Sequence, residues 1–209
     1  MIVLSKPSKY CLSFTTASLL HQASVNLANE FLTCNDWQKV REIAIEKNIL
    51  QVRRLNSLKR LTSEAITRLK TLEVNKLKYL VQAYHQDQAY MLWLAICRRH
   101  QFIADFAKEI TAQKLLTFDY NLNYNDFNHF FNYKLQEWPQ LEKLKQATIN
   151  TVRRNLFRTM KEANIISDKN EIIPALLTKE FLMTIPKEQK HHLLYLPIRE
   201  KTFYQVNNE

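Results

Sequence analysis

Histidine, cysteine and the acids are the side chains that could do catalytic chemistry or hold a metal, and their spacing in this chain favours neither. The six histidines (His21, His85, His100, His129, His191, His192) form no HExxH pair, and none stands with a cysteine at a zinc-finger spacing. Cys11, Cys34 and Cys97 carry no local nucleophile signature. No glycine occurs in the 209 residues, so there is no GxSxG elbow, no phosphate-cradling loop and no dinucleotide fingerprint. Asp119 and Asp126 could pair as carboxylates, although their asparagine-rich surroundings suit capping and turn roles better. The expectation is a protein that is not an enzyme and uses no cofactor or metal.

What remains is charge. The formal net charge is +10, and it is unevenly placed. Between Lys47 and Lys70, seven lysines and arginines face one acid, Glu64; between Lys143 and Lys161, six face none. Each segment is therefore net +6, and the rest of the chain is net negative. A cationic excess held in two segments points to a polyanionic partner, with solvated helix faces as the alternative. The candidate contacts are Gln51, Arg53, Arg54, Asn56, Ser57, Lys59 and Arg60 in the first segment. In the second they are Lys145, Arg153, Arg154, Arg158 and Lys161.

Helices must position these side chains. The densest apolar patterning lies in Leu92 to Ile110, where Leu92, Trp93, Ile96, Phe102, Ile103, Phe106, Ala107 and Ile110 recur at three- and four-residue spacing. That predicts two core helices, with Arg98, Arg99 and His100 between them as a junction or an exposed patch. Upstream, Thr15 or Thr16 can cap a helix to about Leu32, Asn35 a second over Asp36 to Lys47, and Asn56 or Ser57 a third to about Leu69. Three helices with a basic start to the third have the shape of a helix-turn-helix unit. Downstream, Asn125 can cap a helix through Glu137, and Pro139 can open another that reaches Ala163 with a break near Gln146. Ile165–Ile166 and Ile172–Ile173 then flank a polar turn at Asp168 to Asn170, which reads as a small wing. The aromatics Tyr120, Tyr124, Phe127, Phe130, Phe131 and Tyr133 could stack on unpaired bases, but their helical spacing favours the core.

The fold expected is all-α, with room for one short β-hairpin: a compact bundle with two helix-turn-helix-like units. The spans are 1–72, 73–115 for the central core helices and 116–209 for a winged-helix-like unit, all packed as one globular body. Without glycine, asparagine is the substitute at helix C-terminal caps, and Asn35, Asn48 and Asn164 are candidates. An odd number of cysteines without CxxC spacing fits a reducing cytoplasm. Ala89 to Cys97, the most apolar run, is about half the length of a membrane span, so no membrane association is expected.

Five segments also carry a resemblance: SFTTASLL (Ser13 to Leu20), DWQKVR (Asp36 to Arg41), NILQVRRLNSLKR (Asn48 to Arg60), LWLAICRRHQFIADFAKEI (Leu92 to Ile110) and LFRTMKEANII (Leu156 to Ile166). In this order, from about Ser13 to Leu196, they resemble the BrxA family of bacterial BREX bacteriophage-exclusion systems. The resemblance implies a small helical accessory protein that binds double-stranded DNA and is encoded beside a methyltransferase, an ATPase and a phosphatase-like protein, all candidate partners. It also implies the phage-defence role, which composition does not reach; docking to those partners and RNA binding stand as alternatives. Where the family commonly has glycine, this chain has Ala17 and Asn164.

Overall fold

The computed structural model describes Tyr10, Phe14 and residues 18–199. Helix α1, His21–Cys34, turns Val25, Leu27, Ala28 and Phe31 inward. It starts after Leu20, which lies in the left-handed region (φ 54); Thr15, Thr16, Ala17 and Cys11 fall outside the described residues. Asn35 (φ 50) closes α1 and does not open the next helix, because its amide bonds the Phe31 carbonyl. The cap of α2, Trp37–Glu46, is instead Asp36, whose carboxylate accepts from the amides of Gln38 and Lys39 at 2.7 and 3.4 Å. Asn48 (φ 47) ends α2 in a Schellman turn: its amide bonds Ile45 and the Ile49 amide bonds Ala44. A connection over 47–54 leads to α3, Leu55–Leu69.

Helices α4, Val74–Gln82, and α5, His85–Arg99, lead into α6, Gln101–Phe106, which continues through a π-turn at Ala107–Thr111 into α7, Ala112–Leu116. Every residue of α5 from Ala89 to Cys97 is buried, so this helix is apolar all round, with α1, α3, α4 and α6 packed on it. The two expected core helices are present and meet at His100. The polar junction between them is not an exposed patch, however. Only Arg99 faces solvent; His100 is buried against Glu64 at 3.0 Å, and Arg98 donates to the Thr71 carbonyl at 2.7 Å.

Helix α8, Tyr124–Glu137, is capped two residues earlier than expected, by a capping box between Asn123 and Asp126. Phe127, Phe130 and Phe131 are buried, as the helical spacing indicates. Pro139 opens a 3-10 turn, Pro139–Lys143, and after the break α9 runs from Gln146 to Glu162. It ends in a second Schellman turn at Asn164 (φ 53). The isoleucine pairs and their turn form only isolated bridges: Ile166 pairs with Ile172, and Glu171 pairs with Asn121 from the segment before α8. Helix α10, Lys179–Met183, and a 3-10 segment, Lys187–Tyr195, complete the described chain.

One further Schellman turn closes α7, and its left-handed position holds Phe118 (φ 58), 80% exposed. The Phe118 amide bonds Leu115, and the Asp119 amide bonds Lys114 at 2.9 Å. A left-handed phenylalanine carries a steric cost that asparagine largely avoids. Phe118→Asn should therefore raise stability by about 0.5–1 kcal/mol in urea melts. A loss of stability would mean that the exposed ring makes contacts that outweigh the strain.

Candidate nucleic-acid interface

Helix α3 buries Leu58, Thr62, Ala65, Ile66 and Leu69 and leaves its opposite flank to solvent. Along that flank a groove of about 540 Å³ runs between α3 and α2, lined by Asn56, Lys59, Arg60, Ser63, Glu64 and Thr67 with Arg41 facing them from α2. It continues as a smaller recess of about 210 Å³, where Arg41, Ser63 and Thr67 are joined by Gln38 and Lys70. Arg41, Lys59, Arg60 and Lys70 are exposed and make no ion pair among the described residues.

The one acid on this wall, Glu64, is turned into the fold. It accepts from Arg68 Nε and His100 Nε2, each at 3.0 Å. Burial alone would raise its carboxyl; the hydrogen bond from His100 and the charge of Arg68 outweigh that and hold it below the usual carboxylate range. Arg68 is itself buried, bonded to the Ser18 carbonyl at 2.9 Å, with its guanidinium 5.3 Å from the centre of the Phe14 ring. Glu64 and Arg68 therefore neutralise each other beneath the groove and leave its surface cationic.

Of the residues expected on α3, Asn56, Lys59 and Arg60 line the groove. Ser57 is half-buried beside it. Gln51 (φ 52), Arg53 and Arg54 are exposed on the connection, with Arg54 at the N-cap of α3, and do not line the groove. Arg41 and Lys70 were not among the expected contacts. Arg41 lies outside both charge-dense segments, and only the packing of α2 on α3 brings it opposite Lys59.

The second basic segment is more tied down. Arg153 is half-buried, donating to Asn128 at 2.8 Å with its guanidinium 4.6 Å from the Tyr124 ring centre. Arg158 pairs with Glu162 at 2.9 Å, and Lys161 donates to the Asp168 carbonyl at 2.9 Å, bracing the polar turn. Lys145 and Arg154 are exposed without an ion pair among the described residues. Cys97 is wholly buried, which pushes its thiol up and away from reactivity. No group of three or more metal-ligating side chains occurs among the described residues.

Residues 8–189 match the BrxA family along nearly all of this helical body. The chain belongs to the BrxA family. That membership associates it with BREX phage defence. The described residues form an all-helical fold, and a solved crystal structure of an uncharacterized protein from Magnetospirillum magneticum shares it. The TM-score is 0.77 at 16% identity, over 90% of this chain and 98% of that one. No curated protein matches the chain. No described helix is long and apolar enough to cross a membrane.

Proposed function

We propose that the chain is a non-enzymatic DNA-binding component of BREX phage defence that grips the phosphate backbone of duplex DNA along the α2–α3 groove, with little base readout. The observation that carries this reading is the groove itself, in which Arg41, Lys59, Arg60 and Lys70 converge while the only acid is neutralised from below. From Asn56 to Lys70, α3 extends about 21 Å, the axial rise of about six base pairs of one strand. The α2–α3 connection, 47–54, is longer than the three- or four-residue turn usual in helix-turn-helix units. The flank of α3, more than its tip, is therefore the contacting surface. Arg53 and Arg54 add charge at one end. Lys145 at the N-cap of α9 and Arg154 on that helix, followed by the bridged turn in the order of a winged unit, supply a second, weaker contact.

The test is a salt series with the triple variant Arg41→Ala, Lys59→Ala, Arg60→Ala. Duplex binding should weaken to a similar degree on unrelated sequences, and the log–log salt slope should fall by about 2.7, roughly 0.9 for each phosphate no longer neutralised. The fold should survive because all three side chains are exposed. Unchanged affinity and slope in a folded variant would exclude this groove, and weakening confined to one sequence would mean base readout.

A further inference from the structure

We infer that the cleft between α8 and the start of α9 is a binding site for a nucleobase with an exocyclic amine, taken from a free nucleotide or from an unpaired position in a strand. The cleft measures about 570 Å³, within the range of roughly 300–1,000 Å³ usual for small-molecule sites. Its base is apolar: Phe131 and Leu141 are buried, and Leu135, Leu144 and Ile149 are half-buried. The polar lining comes from three elements, Asn128 and Asn132 on α8, Glu142 on the 3-10 turn, and Gln146 and Arg153 on α9. A flat ring can lie on the apolar base while its edge meets these groups.

Much of their bonding capacity is unspent. Asn128 accepts from Arg153 through Oδ1 at 2.8 Å, which leaves its amide nitrogen as a donor. Gln146 donates to Asn150 at 3.1 Å, which leaves its own carbonyl oxygen as an acceptor. The Asn132 carboxamide and the Glu142 carboxylate are exposed and have no hydrogen-bond or ion-pair partner among the described residues. Arg153 donates once to Asn128 and once to Asn150, and its buried Nε has no partner among the described residues. A guanidinium left short of acceptors beside a polar cleft calls for an explanation, and a ligand edge supplies one.

Charge and edge chemistry select the occupant. One acid, Glu142, and one cation, Arg153, line the cleft, so a bare anion is poorly matched to it. A neutral ring with donors and acceptors on its edge suits carboxamides that offer both. Glu142 sets the preference among such rings. A carboxylate only accepts, so it pairs with the exocyclic amine of cytosine, adenine or guanine, where uracil and thymine present a carbonyl. The phosphate of the same nucleotide stays outside the cleft, towards Lys145, which precedes Gln146 and is exposed without an ion pair among the described residues. A peptide offers similar amides but neither a flat ring for the apolar base nor an anion for Lys145. The cleft shares no lining residue with the α2–α3 groove, so the free-nucleotide site does not depend on DNA being gripped there.

The test is calorimetric titration of the full chain with cytidine and uridine monophosphates, which differ at that amine and share their phosphate. The cytidine nucleotide should bind about tenfold tighter, the value of one hydrogen bond to a charged group. Glu142→Gln should abolish this preference by weakening the cytidine nucleotide, although it removes a negative charge. Asn132→Ala should weaken both nucleotides. Both positions are exposed, so melting should be unchanged. A second arm compares duplexes of one sequence with a single unpaired dC, a single unpaired dT or no bulge. A preference among free nucleotides assigns the site to a soluble nucleotide, and one seen in bulged duplexes alone assigns it to an extrahelical base. That arm rests on duplex binding itself, so failure of all three duplexes to bind would count against the α2–α3 groove and leave the free nucleotides to decide. Equal binding of the two nucleotides, with no difference between bulges that do bind, would overturn the proposal. So would a preference that survives Glu142→Gln, or displacement of the cytidine nucleotide by inorganic phosphate alone, which would reduce the site to anion attraction.

Discussion

Trp93→Ala should lower stability by about 3–5 kcal/mol in urea or guanidinium melts. Trp93 has no exposed surface and sits in α5, the helix on which the others pack. Its removal leaves a cavity that the surrounding helices fill only in part, which adds to the lost transfer free energy. The indole also donates from Nε1 to the Tyr195 carbonyl at 2.7 Å, tying the C-terminal 3-10 segment to the core. Trp93→Phe separates the two effects, since it keeps most of the apolar volume and leaves that carbonyl without its donor. It should cost about 1–3 kcal/mol. A loss below about 1 kcal/mol for the alanine variant would mean that α5 is not the centre of the core.

The legible parts of this chain are those governed by local chemistry. The spacing of Leu92 to Ile110 marked the two central helices because a buried face repeats every three or four residues whatever it packs against. Asn35, Asn48 and Asn164 were readable as helix-closing residues because a chain without glycine has few other ways to reach the left-handed region. Phe118 was not readable there, since nothing in its residue type signals a left-handed cap. Pairing of Asn121 with Glu171 joins segments 50 residues apart, and a pattern confined to each segment does not contain it. The candidate interface was legible only in outline. Charge counting over Lys47 to Lys70 included Arg68, which is buried and paired, and passed over Arg41, which packing delivers to the groove. Charge density along the chain finds a basic segment; it does not say which of its cations reach the surface.

The same limit applies to the lysines and arginines that never reach solvent, and there the expected consequence is large. Glu73 accepts from Lys76 Nζ at 2.7 Å, from Arg98 Nη1 at 3.0 Å and from Gln189 Nε2 at 2.7 Å. The Lys76 side chain is 1% exposed and that of Arg98 8%, while Glu73 itself is 45% exposed. His192, pushed down to about 4 by burial and the nearby Arg98 charge, is neutral at physiological pH and adds no further positive charge. Glu73→Ala therefore leaves two cations in the interior with only neutral oxygens and an imidazole for partners. The loss expected for stripping one side of a buried pair is about 3–5 kcal/mol; solvent access to Glu73 reduces it here to about 2–3 kcal/mol. Lys76→Met added to that variant should recover about half or more of the loss, because it removes one of the two stranded charges and keeps the apolar stem. The Glu73 carboxyl is held below the usual range, so its contribution is present at neutral pH and is lost as pH falls below the unfolded carboxylate value of about 4.3. The gap between wild type and Glu73→Ala should then narrow in acid. Because Arg98 and Gln189 also tie the 3-10 segment at Lys187–Tyr195 to Glu73, Glu73→Ala should loosen that segment before it unfolds the core. Hydrogen exchange would show this as faster exchange in 187–195 with α5 still protected, and equal acceleration in both would mean that the network supports the whole body and not its C-terminal 3-10 segment.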